Sequence, residues 1–235
     1  MRLAALIPAY QAAAHVGEVI ERLHRLPSPP DVLVVDDGSR DATAQVARAS
    51  GARVVSLAGN RGKGNALLEG FRHLRDYDAV ITLDADAQHP PECVPEFVRA
   101  AEAGADLVLG RRARTAEMPW TRRFANGFSS GWATRLAGQT VSDSQCGFRL
   151  HRRAVLAATP LTPGRYEVES EMVVRAARLG FRLAEVTIPT VYGAESQIRT
   201  GRDVPKIVAT LARLTWEGFV PPAPMRAAAR AGIAR

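Results

Sequence analysis

Residues 79–88 read Ala-Val-Ile-Thr-Leu-Asp-Ala-Asp-Ala-Gln. An apolar run of strand length ends on two carboxylates and a carboxamide. The same figure occurs upstream, where Val32 to Val35 runs into Asp36-Asp37-Gly38-Ser39. Continuous apolar runs, as opposed to alternating ones, mark strands covered on both faces. Leu3–Pro8, Arg53–Leu57 and Asp106–Leu109 read the same way, and helical patterns near 13–26, 41–50, 62–75 and 92–103 lie between the runs. Strand and helix in alternation predict right-handed crossovers and a doubly wound, mostly parallel α/β sheet. In such sheets ligands bind beyond the carboxyl ends of the strands. The two acidic clusters are therefore expected over one site on one edge.

Acidic groups at that edge can bind a divalent cation and a ribose. The turn Asp84-Ala85-Asp86 lets two carboxylates point to one side, and hard cations such as Mg²⁺ prefer oxygen ligands. Read alone, Asp36-Asp37-Gly38-Ser39 is equally a turn and helix cap, since Ser39 and Asp41 suit capping. Two clusters at equivalent strand ends favour function. Gly59-Asn60-Arg61-Gly62-Lys63-Gly64-Asn65 opens the next helix and can bring backbone N–H groups to an anion. It is not a Walker loop, because no Ser or Thr follows the lysine.

These pieces, in this order, resemble the family 2 inverting glycosyltransferases of GT-A fold, in the dolichol-phosphate mannosyltransferase and polyprenyl-phosphate glycosyltransferase branch. The matching segments are Ile7-Pro8-Ala9-Tyr10, Val34 to Ser39, Gly62-Lys63-Gly64 with Gly70, and Leu83 to Pro90. Further on come Gly110-Arg111-Arg112, Asp143 with Gly147-Phe148-Arg149, and Glu169-x-Glu171. The resemblance covers residues 3 to about 200. It implies a Rossmann-like GT-A sheet with a membrane-facing helical annex. The donor is a nucleotide-diphosphate sugar, the acceptor a polyprenyl phosphate, and the cofactor Mg²⁺ or Mn²⁺.

By position, the resemblance puts Pro8, Tyr10, Asp36 and Lys63 around the base and ribose, with Asp84 beside the ribose or the metal. Asp84, Asp86 and Gln88 would hold the cation. Asp86, Arg112 and Arg123 would be catalytic, the two arginines near the sugar diphosphate and the acceptor phosphate, and Arg122, Arg149 and Ser196 would bind the acceptor phosphate, with Arg123 or its neighbour Arg122 expected to hold it. Glu169 and Glu171 alternate, so only one of them should face the pocket. Two places depart from the family's usual wording. Pro8-Ala9-Tyr10-Gln11-Ala12 lacks a glutamate that helps read the base, and Ser196-Gln197 stands where Ser-Lys is usual. A phosphate acceptor is already ionised near neutral pH. It needs positioning by arginines more than a general base, and arginine's planar fork meets phosphate oxygens in pairs.

After residue 110 the pattern changes. A strand-like piece at Cys146–Leu150 precedes helical patterns near 152–158 and 166–179, a strand near Arg182–Ile188 and a helix near 203–217. Trp120, Phe124, Phe128, Trp132 and Leu136 recur every four residues, flanked by Arg122, Arg123 and Arg135. An aromatic stripe among arginines suits an interfacial helix on an anionic leaflet, and equally a core-facing stripe. Trp216 reads as packing. His15, His24, His73 and His151 read as surface or capping groups. His89 adjoins the acidic motif, but a hard cation favours oxygen over imidazole. Cys93 and Cys146 read as small buried hydrophobes.

Composition excludes several classes. The chain has 235 residues, 46% hydrophobic and 23% charged, enough for a full core and unlike a disordered chain. No apolar run approaches the roughly 18 residues of a membrane span. The segment Leu3 to Ile7 stops at Pro8, too short for a signal-peptide core. Two cysteines point to a reduced, cytoplasmic setting. Residues 1–100 carry 11 basic against 13 acidic side chains; residues 101–235 carry 20 against 11. Codon bias explains why 29 of 31 basic residues are arginine, but it does not explain that asymmetry. A basic second half points to a polyanion. The acidic edge argues against nucleic acid.

One domain over residues 1–218 is expected, with a nucleotide-sugar half to 110, an acceptor half beyond it, and a flexible basic tail at 219–235. The expected activity is sugar transfer to polyprenyl phosphate, by a peripheral protein on the inner face of the cell membrane. The alternatives are the same donor chemistry on a soluble acceptor, and a basic nucleotide- or nucleic-acid-binding module.

Overall fold

The computed structural model describes residues 1–112, 120–159, 161–162, 167–189 and 200–218, with the backbone alone at 120–126, 200–204 and 207. Ser196, the 219–235 segment, and the side chains of Trp120, Arg122, Arg123 and Phe124 lie outside the described residues.

Among the described residues seven strands form one sheet: β1 (Leu3–Ala9), β2 (Asp31–Asp36), β3 (Arg53–Ser56), β4 (Ala79–Thr82), β5 (Leu107–Arg112), β6 (Arg149–Arg152) and β7 (Leu183–Ile188). Their order is β3-β2-β1-β4-β6-β5-β7. All neighbours pair in parallel except β6, which is antiparallel to both β4 and β5. The helices are α1 (Val16–His24), α2 (Thr43–Ala49), α3 (Lys63–His73), α4 (Val94–Glu102), α5 (Trp120–Ala137), α6 (Arg153–Ala158), α7 (Glu167–Arg178) and α8 (Thr200–Glu217). The predicted doubly wound sheet is thus present, with one reversed strand inside it. That strand begins three residues later than the apolar pattern predicts. Cys146 and Phe148 are buried but lie in a connection, where the Phe148 carbonyl accepts the Gly110 N–H at 2.8 Å. The pattern registers burial, not strand pairing.

The central strands β1, β2 and β4 bury both faces, as their continuous apolar runs require, while the edge strand β3 leaves Arg53 and Ser56 exposed. Ala5, Ile7 and Val34 enter one core layer; Leu6, Leu33 and Val35 enter another. Gly70 of α3 leaves no room for a Cβ against Leu6. A third core joins Leu107 and Leu109 of β5 to α5, α7 and α8. This helical layer is the annex expected after residue 110.

Ion pairs join α7 to α8. Glu171, fully buried, accepts from Arg175 Nε (2.8 Å) and Arg213 (3.0 Å), and from the Thr162 N–H and hydroxyl (both 3.0 Å). Glu217 pairs with Arg175 (2.8 Å) and Arg213 (2.9 Å). The stripe on α5 is divided. Leu136 packs toward the third core, and Trp132 donates its indole N–H to Thr215 Oγ1 at 3.0 Å, while Phe128 is exposed. Trp216, read from the sequence as packing, is instead 77% exposed.

His151 also departs from expectation: it is buried on β6, edge-on to Phe71. Burial, reinforced by the Arg149 charge, pushes its imidazole down to about 3. An unfolded histidine takes up its proton near pH 6.5, so between 6.5 and about 3 the unfolded chain binds the extra proton. Stability at this site is full above that window and is lost as pH falls, with a limiting slope of about 1.4 kcal/mol per pH unit. Denaturant titrations at pH 7, 6 and 5 should therefore show His151→Leu losing less stability on acidification than the wild type.

Candidate active site

The carboxyl ends of the parallel strands meet at one pocket. Pro8 lies near the end of β1 and Tyr10 and Ala12 follow it, Asp37 follows β2, Asn60 and Gly62 follow β3, and Asp84, Asp86 and Gln88 follow β4. Arg112 ends β5, while Gln145 comes from the loop before β6 and Glu169 from the first turn of α7. Backbone bonds pin the rim. Gln11 N donates to Ser39 Oγ (2.9 Å) and Ala12 N to Thr43 Oγ1 (2.8 Å). Asp41 accepts from the Thr43 N–H at 3.1 Å as an Asx turn and not as a helix cap, since the N-cap of α2 is Ala42, with no side-chain cap bond.

The pair Asp36-Asp37 divides its labour. Asp36, expected at the nucleotide, is buried, accepts from Ser39 N at 3.1 Å and does not line the pocket. Successive residues of an extended chain face opposite ways, and it is Asp37 that reaches the pocket. Asp37 also takes the Arg61 and Gly62 N–H groups, each at 2.7 Å. These two amides of the glycine-rich loop therefore serve an internal carboxylate. Gly62 adopts φ +93°, and at Gly38 (φ +72°) a Cβ would stand 2.5 Å from Gly59 Cα. Only glycine lets the two loops touch.

Lys63 sits at the centre. Its Nζ lies 2.5 Å from Asp84 Oδ1 and 2.7 Å from Glu169 Oε1. Burial alone would push this ammonium down, but the two carboxylates outweigh it and hold the pKa well above the ordinary lysine value. Burial likewise opposes ionisation of Asp84, yet Lys63, then His89 and Arg112, hold it at about 2. Asp86 moves the other way: burial first, then the Asp84 charge, raises it. His89, buried beside Asp84 (3.7 Å), is pushed down by burial to about 4 and is neutral near pH 7. Burial would lower Arg112, but Asp143 grips it at 2.7 and 2.9 Å and raises it.

Arg149 must be reassigned. It is one of the largest fully buried side chains and does not reach the pocket. Its nitrogens donate to the carbonyls of Cys146 (2.7 Å), Glu169 (2.5 Å) and Ser144 (2.7 Å). It is a frame residue, not a phosphate ligand. Residues missed as pocket groups are Asp37 and Gln145. Gln145 donates to Ser170 Oγ at 2.7 Å, while its Oε1 has no partner among the described residues. Its only signal was its place two residues before Gly147. Of the alternating pair, Glu169 faces the pocket and Glu171 holds arginines.

Against the sequence model of Glycosyl transferase family 2, residues 4–158 match. The chain belongs to this family. Family 2 relatives include an uncharacterized protein of Methanocaldococcus jannaschii, 34% identical over 83% of this chain and 83% of its own length. The undecaprenyl-phosphate mannosyltransferase of Micrococcus luteus is 32% identical over 81% and 84%. An undecaprenyl-phosphate 4-deoxy-4-formamido-L-arabinose transferase of Edwardsiella ictaluri is 36% identical over 65% of this chain, which spans 50% of that protein. The glucosyl-3-phosphoglycerate synthase of Mycobacterium tuberculosis, in complex with Mn²⁺, UDP and glucosyl-3-phosphoglycerate, superposes with a TM-score of 0.74 at 25% identity, covering 94% and 81%.

The residues fit a divalent cation bound with its substrate. The lining has four carboxylates, Asp37, Asp84, Asp86 and Glu169, against the cations Lys63 and Arg112. A diphosphate adds negative charge to that excess, so it needs a counter-cation. Among the described residues no group of three or more His, Cys, Asp or Glu could hold a metal by itself. That suits an ion held by one or two carboxylates plus substrate phosphates.

Gly147 shows how tightly the centre is packed. A Cβ there would stand 2.6 Å from Lys63 Nζ and 2.9 Å from both Asp84 carboxylate oxygens. Gly147→Ala should displace Lys63 from Asp84 while leaving the sheet intact. Calorimetric titration should show nucleoside-diphosphate affinity reduced about tenfold or more, equivalent to ~1.4 kcal/mol, with an unchanged circular dichroism spectrum.

Proposed function

We propose that this chain is an inverting glycosyltransferase that moves a sugar from a nucleotide-diphosphate donor to a polyprenyl phosphate, working as a peripheral protein at the membrane surface. The carboxylate excess at the strand ends carries the reading, because only a cation-escorted donor fits it. Similarity to the Micrococcus luteus mannosyltransferase over most of both chains supports the lipid-phosphate acceptor. No helix among the described residues is long and apolar enough to cross a membrane.

Asp84, Asp86 and Gln88 would hold Mg²⁺ or Mn²⁺, which when bound neutralises charge on the leaving diphosphate. Pro8, Tyr10 and Asp37 bind the base and ribose. Lys63, fixed between Asp84 and Glu169, orients both carboxylates. Arg112, oriented by Asp143, meets the diphosphate oxygens as the glycosidic bond breaks. The acceptor phosphate oxygen attacks the anomeric carbon from the opposite face, so the configuration inverts in one displacement. Arg122, Arg123 and Ser196 hold that phosphate.

A product screen tests this. UDP- and GDP-sugars are incubated with polyprenyl phosphate, with and without Mg²⁺ or Mn²⁺, and the glycolipid is measured. Asp86→Ala should fold and lose ~10²-fold or more in turnover, the scale for losing one electrostatic stabiliser of developing charge. Full activity of that variant, or of wild type in excess chelator, would remove the metal from the reading. Arg123→Ala should raise KM for the lipid phosphate more than KM for the donor.

A second reading keeps the donor chemistry on a small phosphorylated acceptor. It is favoured by the fold's likeness to the glucosyl-3-phosphoglycerate synthase. Transfer to 3-phosphoglycerate, but not to polyprenyl phosphate, would decide for it.

A further inference from the structure

α8 buries one face and leaves the other bare. Thr210, Leu211 and Leu214 are buried, and Leu214 packs in the core shared with α5 and α7. On the opposite face Pro205, Ala209, Ala212 and Trp216 recur at spacings of four, three and four, flanked by Val208 and Lys206; all six are exposed. The bare face continues onto α5. Phe128, 53% exposed, meets Trp132 edge-on at 5.6 Å, and Trp132 is bonded to Thr215, the neighbour of Trp216. Contiguous exposed apolar patches of this kind mark protein or membrane contacts.

We infer that this two-helix face, with Trp216 and Phe128 as its anchors, is where the chain lies on an anionic lipid bilayer. Charge selects a bilayer over a second copy of the chain. The exposed charges on these faces among the described residues are basic, Lys206 and Arg135. The only acid on the described side chains of α8, Glu217, is committed to Arg175 and Arg213. The following sequence adds Arg226, Arg230 and Arg235, and residues 218–235 contain no acid. A two-fold contact sets each patch against itself and would oppose like charges. Anionic headgroups complement them, and tryptophan sits well at headgroup depth.

The other side of α5 turns toward the pocket. Two residues along from Phe128, and so on the opposite side of the helix, buried Ser130 accepts the Ser144 N–H on its Oγ at 3.1 Å, and Ser144 adjoins pocket-lining Gln145. A lipid-borne phosphate would then enter the pocket past one helix, about 10 Å across. This last step rests on the acceptor proposed above; the bilayer contact does not.

Co-sedimentation of the full chain with vesicles tests the surface. Wild type should sediment with vesicles containing phosphatidylglycerol, release in high salt, and bind pure phosphatidylcholine weakly. The exposed double variant Phe128→Ser, Trp216→Ser should lose binding by about tenfold or more. It should keep its fold by circular dichroism and its turnover on a short-chain acceptor in detergent. Equal sedimentation of wild type and variant overturns the proposal. So does a wild-type dimer by light scattering that Trp216→Ser dissolves without changing vesicle binding. Vesicle binding that depends on Trp216, without sugar transfer to any lipid phosphate, supports the surface while removing the lipid acceptor. Transfer in detergent without vesicle binding does the reverse.

Discussion

One ammonium group joins the halves of the pocket. Lys63 begins α3, Asp84 follows β4 and Glu169 opens α7, and the three meet within 2.7 Å. A buried carboxylate, Glu169, and a half-buried one, Asp84, share one half-buried lysine, an arrangement whose partial removal strands a charge. The surroundings are built around that contact. Gly147 is bare because a side chain there would strike it, and the Asp37 clasp on Arg61 and Gly62 fixes the approach of α3.

The same contact sets the electrostatic division of the site. Asp84 spends its charge on Lys63 and stays ionised, whereas Asp86 is raised by burial and by Asp84. Across the pocket, Arg112 is aimed by Asp143 and does not wander toward the acids. The two cations of the pocket are thus each held by acids of their own, Lys63 by Asp84 and Glu169 and Arg112 by Asp143.

Much of this was legible in the sequence, for reasons that also define what was not. Apolar runs ending on acids gave the strand ends, so Asp84, Asp86 and Gln88 were placed correctly. Period cannot give direction, so nothing showed β6 reversed between β4 and β5. Nor can it separate neighbours at a strand end, where Asp36 turns inward and Asp37 outward. Arg149 was misread because residue type shows that a guanidinium needs acceptors, not whether they are phosphates or carbonyls. The α5 stripe was visible, but a stripe names a face and not its neighbour. Trp132 found Thr215, and Trp216 found solvent. The roles implied for Arg122, Arg123 and Ser196 rest on side chains outside the described residues.

The Arg149 joint has a consequence for how such a site diversifies. It grips three main-chain oxygens, from Ser144, Cys146 and Glu169. A carbonyl carries no residue identity. The joint therefore makes no demand on the side chains at Ser144 and Cys146, nor at Gln145 between them, whereas Glu169 is held a second time through its carboxylate by Lys63. The scaffold of the pocket is inherited through the backbone, while the groups that greet a particular sugar remain free to drift.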